Sequence, residues 1–262
     1  MDLGIKNKTA LVGAASQGLG RAAALSLAQE GVHLCICARN KKELFETASE
    51  IGEKTGAAVF PVVADLSKPA DIKKLVAAAQ KNFGSIDILV NNAGGPPTGD
   101  VLTLPDAEWE KGFNLTLMSA IRLTREVLPG MQARNWGRII TIVSITAKQP
   151  LNDLLISTVL RPGTLALSKV VSNLYAKHNV TMNTVCPGFI LTNRQKELMA
   201  ARSAKSKQSM KEYIAAMAKE IPAGRMGNPE EVGDVIAFLA SERASYISGT
   251  NLMVDGGMLK TI

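Results

Sequence analysis

The stretch that decides the fold reads Thr9-Ala10-Leu11-Val12-Gly13-Ala14-Ala15-Ser16-Gln17-Gly18-Leu19-Gly20. A short apolar strand, Thr9 to Val12, leads into a turn of small residues. From Leu19 to Glu30 the apolar spacing is helical, ending before Gly31. Small residues in such a turn let backbone approach a pyrophosphate, and the helix N-terminus supplies N–H groups and a positive dipole end. The same turn also occurs as a tight connection with no ligand, so the rest of the chain has to decide.

Outward from this unit, strands and helices alternate. Strands are expected at His33 to Ala38, Val59 to Ala64, Ile86 to Val90, Arg138 to Val143, Thr181 to Val185 and Leu252 to Val254. Helices are expected at Lys41 to Lys54, Pro69 to Asn82, about Asp106 to Ala133, roughly Leu160 to Lys177, and Pro229 to Leu239. A basic helical insertion covers about Gln195 to Lys219. Strict alternation predicts a parallel sheet covered on both faces, and right-handed crossovers make it doubly wound. The fold class is therefore α/β, with ligands expected beyond the carboxyl ends of the strands where strand order switches. No linker or repeat interrupts residues 1–262, which read as a single domain.

Composition narrows the function. No apolar run is long enough to span a bilayer. Met1 to Lys8 carries no signal segment, so a cytoplasmic location is expected. Cys35, Cys37 and Cys186 lack metal-ligand spacing and read as reduced core residues. His33 and His178 are too isolated to form a metal site. The net charge of +7 suits anionic partners. No basic stretch is interleaved with aromatics, so nucleic acid is not the expected partner.

The opening turn resembles the TALVTGxxxGIG pattern of the short-chain dehydrogenase/reductases, with Gly18, Leu19 and Gly20 matching. The family's Thr falls on Gly13 and its first glycine on Ala14, whose Cβ is expected to clash or to redirect the loop unless Gly13 relieves it. Further motifs follow in order. Asp65, with Leu66 beside it, stands where the family reads the adenine. Asn91-Asn92-Ala93-Gly94 matches the NNAG motif behind the adenine ribose. Pro187-Gly188-Phe189-Ile190 with Thr192 matches PGxIxT beside the nicotinamide. Tyr246 to Gly249 and Val254 to Gly257 match YxxG and VDGG. The resemblance spans nearly the whole chain. It implies a Rossmann-like dinucleotide-binding domain, nearest in flavour to the 3-oxoacyl-acyl-carrier-protein reductases of fatty acid metabolism.

The second strand ends Cys37-Ala38-Arg39-Asn40. An acid there would accept hydrogen bonds from a ribose 2′-hydroxyl, but Ala38 takes the slot. Arg39 is placed to pair with a 2′-phosphate, helped by Ser16 and Gln17, which predicts NADP(H). Arg39 also reads as an ordinary solvated residue at a strand end.

In the family a Ser orients the substrate oxygen, a Tyr protonates it, a Lys tunes the Tyr and holds the nicotinamide ribose, and an Asn anchors a water relay. Asn114 and Ser144 match the Asn and the Ser. The Tyr and Lys of YxxxK fall on Ser157 and Arg161. Ser cannot serve as the same proton donor, and Arg does not relay protons as Lys does. Tyr175, Tyr213 and Tyr246 have the wrong spacing. Lys148 is a conceivable stand-in or a solvated loop lysine. Pro162 predicts a helix start near Arg161, which would move Ser157 off the expected face. Two functions follow. In one, Ser144, Ser157 and Arg161 stabilise an oxyanion in a working NADPH-dependent reductase, with water donating the proton. In the other, the chain binds the dinucleotide or assembles without chemistry.

The resemblance makes residues of about 192–221 a substrate lid, basic through Arg194, Lys196, Arg202, Lys205, Lys207 and Lys211. That suits a coenzyme A thioester or an acidic acyl carrier as readily as it suits a solvated helix face. Met199, Met210, Ile214 and Met217 read either as an acyl-chain surface or as helix packing. The family's helix packing implies a homotetramer or homodimer.

Overall fold

The structure, a computed structural model, describes residues 1–206 and 209–260. Its centre is one seven-stranded parallel sheet of order β3-β2-β1-β4-β5-β6-β7. The strands are β1 (Thr9–Val12), β2 (His33–Ala38), β3 (Val59–Val63), β4 (Ile88–Asn91), β5 (Gly137–Ile142), β6 (Val180–Pro187) and β7 (Asn251–Val254). Each strand the sequence predicts is present, and the doubly wound α/β class holds.

The two-residue period of a strand explains how both faces are filled. Along β1, Ala10 and Val12 face one core and Leu11 the other; Leu34 and Ile36 alternate in the same way with Cys35 and Cys37, and Ile88 and Val90 with Leu89. The first core takes α1 (Gly18–Gln29), α2 (Lys41–Thr55) and α9 (Pro229–Leu239). The second takes α3 (Pro69–Phe83), α5 (Ser119–Ala133) and part of α6 (Leu155–Tyr175). Cys35 and Cys37 lie wholly inside the second core, and burial pushes both thiols up to about 12, which leaves them inert.

Strand order reverses between β1 and β4, both of which neighbour each other while their crossovers run outward in opposite directions. A crevice therefore opens at their carboxyl ends. At the opposite end of the sheet, Arg138 is fully buried. It donates to the carbonyls of Gly137, Asn179 and Ser241, lies over Trp136 and faces Glu242. These bonds tie the start of β5 to the end of β6's lead-in loop and to the turn after α9.

Two helices differ from expectation. The stretch expected as one helix from Asp106 to Ala133 is α4 (Asp106–Phe113), a π-helical turn (Asn114–Met118) and then α5. Helix α6 begins at Leu155, not near Arg161. Pro162 forgoes one main-chain hydrogen bond without ending the helix. It is exposed, so water can solvate the carbonyl left over, while Ile156, Ser157 and Thr164 are buried on the inner face. The basic insertion is two helices, α7 (Asn193–Ser206) and α8 (Met210–Glu220). Among the described residues no helix is long and apolar enough to cross a membrane.

Helices α1 and α9 pack closely because Gly233 faces Ala22 and Ser26. A Cβ on Gly233 would sit 2.6 Å from Ser26 Oγ and 2.7 Å from the Ala22 carbonyl. Gly233→Ala is therefore expected to destabilise the fold by about 1–3 kcal/mol despite Ala's better helix propensity. Urea unfolding checks this; an unchanged or raised midpoint would mean that the two helices separate at no cost.

Candidate functional site

The crevice is a cavity of about 760 Å³. Of the residues singled out in the sequence, Ser16, Gln17, Gly18, Leu19, Arg39, Asp65, Leu66, Ala93 and Gly94 line it. So do Ser144, Ser157, Arg161, Pro187, Gly188, Ile190 and Thr192. Gly13, Asn91 and Asn114 do not. Gly13 sits behind the loop, where a Cβ would lie 2.4 Å from the Asn92 carbonyl. Asn91 turns its amide inward to Thr124 and Thr141. Asn114 lies in the π-helical turn, donating to the Glu110 carbonyl and accepting from Arg122 at 3.0 Å each.

The glycine loop is held by Asn92, a residue quoted in the motif but not singled out. Its Nδ2 donates to the carbonyls of Gly13 (3.1 Å) and Ala14 (3.3 Å). Gly20 is obligatory here, since a Cβ would meet the Ala14 carbonyl at 2.3 Å and Asn92 Nδ2 at 2.7 Å. Ala14, where a Cβ replaces the family's glycine, takes the left-handed conformation, with φ at +45°. Gln17, at the N-cap of α1, makes no side-chain cap, so the first N–H groups of α1 are left for a ligand beside Gly18. These features fit a dinucleotide pyrophosphate.

At the far end, Arg39 is exposed beside Asn40, and no acid ends β2. Burial alone would raise the Asp65 carboxyl. The Ser67 N–H and hydroxyl, with Arg39 and Lys68 nearby, outweigh it and hold Asp65 below the usual range. One Asp65 oxygen is thus occupied by its own loop.

The floor is built on the end of β5 and the first turns of α6. Ser157 and Arg161 share a helix face, and Arg161 Nε donates to Ser157 Oγ at 2.8 Å. The displacement of Ser157 expected from Pro162 does not occur, because α6 starts before both. Arg161 Nη1 donates to the Val143 and Ile142 carbonyls. Among the described residues no carboxylate pairs with Arg161, and burial pushes the guanidinium down to about 10. Thr146, which sequence reading missed, joins the floor. Its N–H donates to Ser144 Oγ at 3.1 Å, and its hydroxyl lies 3.0 Å from Ser157 Oγ. Lys148 is exposed and outside the lining.

Over the cavity, the segment from Thr192 is fastened at three points. Asn193 donates to Gln17 Oε1 at 2.9 Å, Arg194 to the Pro96 carbonyl at 3.2 Å, and Arg202 pairs with Asp153 at 2.7 Å. Gln195 lines the cavity, and its buried Nε2 has no partner among the described residues. Met199 and Met217 pack with Ile221 and Met226, flanked by Met210 and Ile214. The methionines therefore form the core of this segment, and Leu198 faces the cavity. Lys196 and Lys211 are exposed; Lys207 and the side chain of Lys205 lie outside the described residues.

Residues 13–259 match a family model described as enoyl-(acyl carrier protein) reductase. The chain is 32% identical to the 3-oxoacyl-[acyl-carrier-protein] reductase of Escherichia coli, covering 98% of this chain and 99% of that protein. It is also 32% identical to dehydrogenase/reductase SDR family member 4 of Sus scrofa, over 97% and 88% of the two chains. Among solved structures, L-sorbose reductase from Gluconobacter frateurii, complexed with NADPH and L-sorbose, matches with a TM-score of 0.96. The two chains are 37% identical, with full coverage of both.

The left-handed Ala14 costs about 1 kcal/mol against glycine. Ala14→Gly is expected to raise stability by roughly that amount, less the entropy glycine adds to the unfolded chain. A lower urea midpoint in the variant would contradict the left-handed assignment.

Proposed function

Because this chain belongs to the short-chain dehydrogenase/reductase family, we propose that it works as an NADP(H)-dependent reductase of a small carbonyl compound, of the acyl thioester type. One observation carries the reading. A single cavity runs from the uncapped α1 N-terminus and Arg39 to Ser144, Ser157 and Arg161. When bound, the dinucleotide supplies the hydride. The α1 N–H groups and the small residues of the loop hold its pyrophosphate, and Arg39 pairs with the 2′-phosphate. NADPH in the complex of the L-sorbose reductase supports that choice.

The catalytic residues of this proposal are atypical. Ser144 and Ser157 direct hydroxyls at the substrate oxygen, and Arg161 adds positive charge in an enclosed site, where such donors act strongly. The exposed Lys196 and Lys211, with Arg194, suit the phosphates of a coenzyme A or carrier-linked thioester. Val170 and Leu174 are more than half exposed on α6, which supports self-association as a homodimer or homotetramer. Three buried free thiols fit a cytoplasmic setting.

Calorimetric titration tests the cofactor. NADPH is expected to bind more tightly than NADH, and Arg39→Ala to cost NADPH about tenfold to a hundredfold, the worth of a charge-assisted hydrogen bond. Equal wild-type affinities would overturn the assignment.

NADPH oxidation with acyl thioesters and keto sugars tests the chemistry. Ser144→Ala and Arg161→Ala are each expected to lower turnover by about a hundredfold to a thousandfold. Unchanged rates in both would refute the site. Tight NADPH binding with no turnover across the panel would leave the non-catalytic binding role.

The pH dependence follows from the guanidinium. Its charge is in place through neutral pH and is lost only as pH rises through about 10. The basic limb of the rate profile is therefore expected to be flat through neutrality and to fall on approaching that value. A basic limb near neutral pH would mean that another group titrates in the mechanism.

A further inference from the structure

Towards the floor, the described lining of the cavity carries two charged side chains, and both are guanidiniums: Arg161 and Arg194. The lining carboxylates, Glu43 and Asp65, sit with Arg39 at the other end. Arg161 is engaged with Ser157 and with the carbonyls at the end of β5. Arg194 is far less engaged.

Arg194 lies in the first turn of α7 and reaches back to the loop that follows β4. A Cβ on Gly95 would lie 3.2 Å from Arg194 Nε, 3.6 Å from Nη2 and 3.8 Å from Cζ. The guanidinium therefore lies along Gly95, in space that a side chain would fill. Its Nη2 donates to the Pro96 carbonyl at 3.2 Å. The rings of Pro96 and Pro97 fix φ at two successive positions and restrict the residue before each, so this anchor is stiff. Pro96 also approaches the start of α6. A Cβ on Gly112 would lie 3.5 Å from Pro96 Cβ and 2.5 Å from Ile156 Cγ2, and Ile156 is next in the chain to Ser157.

The bond to Pro96 uses one of five guanidinium N–H groups. Glu197 stands 3.6 Å from Nη1, and its side chain is 70% exposed. That is beyond hydrogen-bond range, and such an exposed pair contributes little. Nε has no partner among the described residues. Fastening α7 to the loop needs only the one bond. What is left is a planar fork of charged donors, held on a stiff loop inside the cavity. That arrangement takes a carboxylate. Pro97 and, one turn further along α7, Leu198 line the same cavity and give it apolar wall.

We infer that Arg194 binds a carboxylate carried by the substrate, which is therefore an oxo acid. Its carbonyl lies on the floor, its carboxylate lies against Arg194, and a short carbon chain joins the two. Lys196 and Lys211 are exposed and outside the lining. The phosphates of a coenzyme A thioester, many bonds from its carbonyl, would meet those lysines at the rim. The charge inside the cavity is left for an anion close to the reacting carbon.

The inference rests on the reductase reading and sets a nearby carboxylate in place of thioester phosphates as the anion that Arg194 reads. In the reduction a hydride from the dinucleotide adds to the carbonyl carbon. The carbonyl π pair moves to oxygen, which takes a proton from water. The dinucleotide is left oxidised, the ketone becomes a hydroxy group, and the carboxylate is unchanged.

Pyruvate, acetoacetate and levulinate, which hold the carboxylate at increasing distance from the carbonyl, test this with NADPH, each against its methyl ester. At least one acid is expected to show a kcat/KM about tenfold to a hundredfold above that of its ester, mostly through KM. Arg194→Gln should erase the preference by raising KM for the acid, with the ester's constants and the NADPH affinity held within about twofold. Arg194→Lys, which keeps the charge without the fork, should retain part of it. Glu197→Gln removes a competing anion and should lower KM for the acid by about twofold, and not for the ester.

Esters reduced as well as all three acids overturn the inference and keep the reductase reading. An Arg194→Gln variant that loses acid and ester alike, or that weakens NADPH, also overturns it, because the arginine then fastens α7 or serves the cofactor. Acetoacetyl coenzyme A and the acetoacetyl thioester of N-acetylcysteamine, which has no phosphate, separate the other source of charge. A coenzyme A thioester preferred over the acids, and weakened by Arg194→Gln while the short thioester is not, assigns the arginine to phosphate and overturns the inference. Bound NADPH with nothing consumed overturns the reductase reading. Calorimetric titration of the acids into the NADPH-loaded protein then decides the subsite alone. Binding that Arg194→Gln abolishes keeps it, and binding that is absent or unchanged in the variant overturns it.

Discussion

The amide of Asn92 holds two carbonyls of the loop that leaves β1, and the near wall of the cavity is arranged around that pair of bonds. β1 and β4 are adjacent, but their chains leave in opposite directions, so a gap opens above them. Asn92, one residue past β4, reaches across it. Gly13 has to lack a side chain because the Asn92 carbonyl lies where its Cβ would be, and Gly20 has to lack one because the amide and the Ala14 carbonyl do. The first turn of α1 is thereby drawn against the strand ends. Its N–H groups point into the cavity rather than into a side-chain cap.

The floor answers a different constraint, a guanidinium with no carboxylate beside it among the described residues. Desolvation of Arg161 is met by a serine oxygen and two strand-end carbonyls. Carbonyl dipoles at the end of a parallel strand are a reasonable substitute for a carboxylate, because they carry partial negative charge without full neutralisation. The charge is therefore still available to a ligand. A carboxylate in the same place would have satisfied the arginine and removed its use. Helix α6 makes this possible by continuing through Pro162, which keeps Ser157 and Arg161 one turn apart on one face.

How much of this could be read from the sequence depends on how local each feature is. The strands were legible because Leu34, Cys35, Ile36 and Cys37 alternate between two cores, and both cores are apolar. The cavity was legible because its walls are the small-residue turns that follow the strands. Asn91 and Asn92 show the limit. They are the same residue type side by side, and only the end of β4 decides that the first turns inward to Thr124 and Thr141 and the second outward to the loop. The start of α6 was misplaced because Pro162 is a strong local signal, whereas the burial of Ile156 that anchors the earlier turn is tertiary. The π-helical turn at Asn114 has no marker in composition. Thr146 escaped because its partner is eleven residues away, across a loop with no regular period. Gln195 and Asn193 escaped for the same reason, as their surroundings are supplied by distant segments.

Three local costs meet on the walls of one cavity: a left-handed alanine at Ala14, an enclosed guanidinium at Arg161 and, at Gln195, a buried Nε2 without a partner among the described residues. Each is of the order of 1–3 kcal/mol, and together they are a large part of the stability of a typical domain. The sheet can bear them because its two cores are continuous and almost fully buried from β1 to β6. Local costs gathered on the wall of a cavity are the pattern expected where ligand contacts complete the structure. A ligand that supplies an anionic oxygen to Arg161 and an acceptor to Gln195 removes two of the three costs on binding. Its affinity then includes the relief of the protein's own unpaired groups, so the cavity discriminates by oxygen placement and charge as well as by shape.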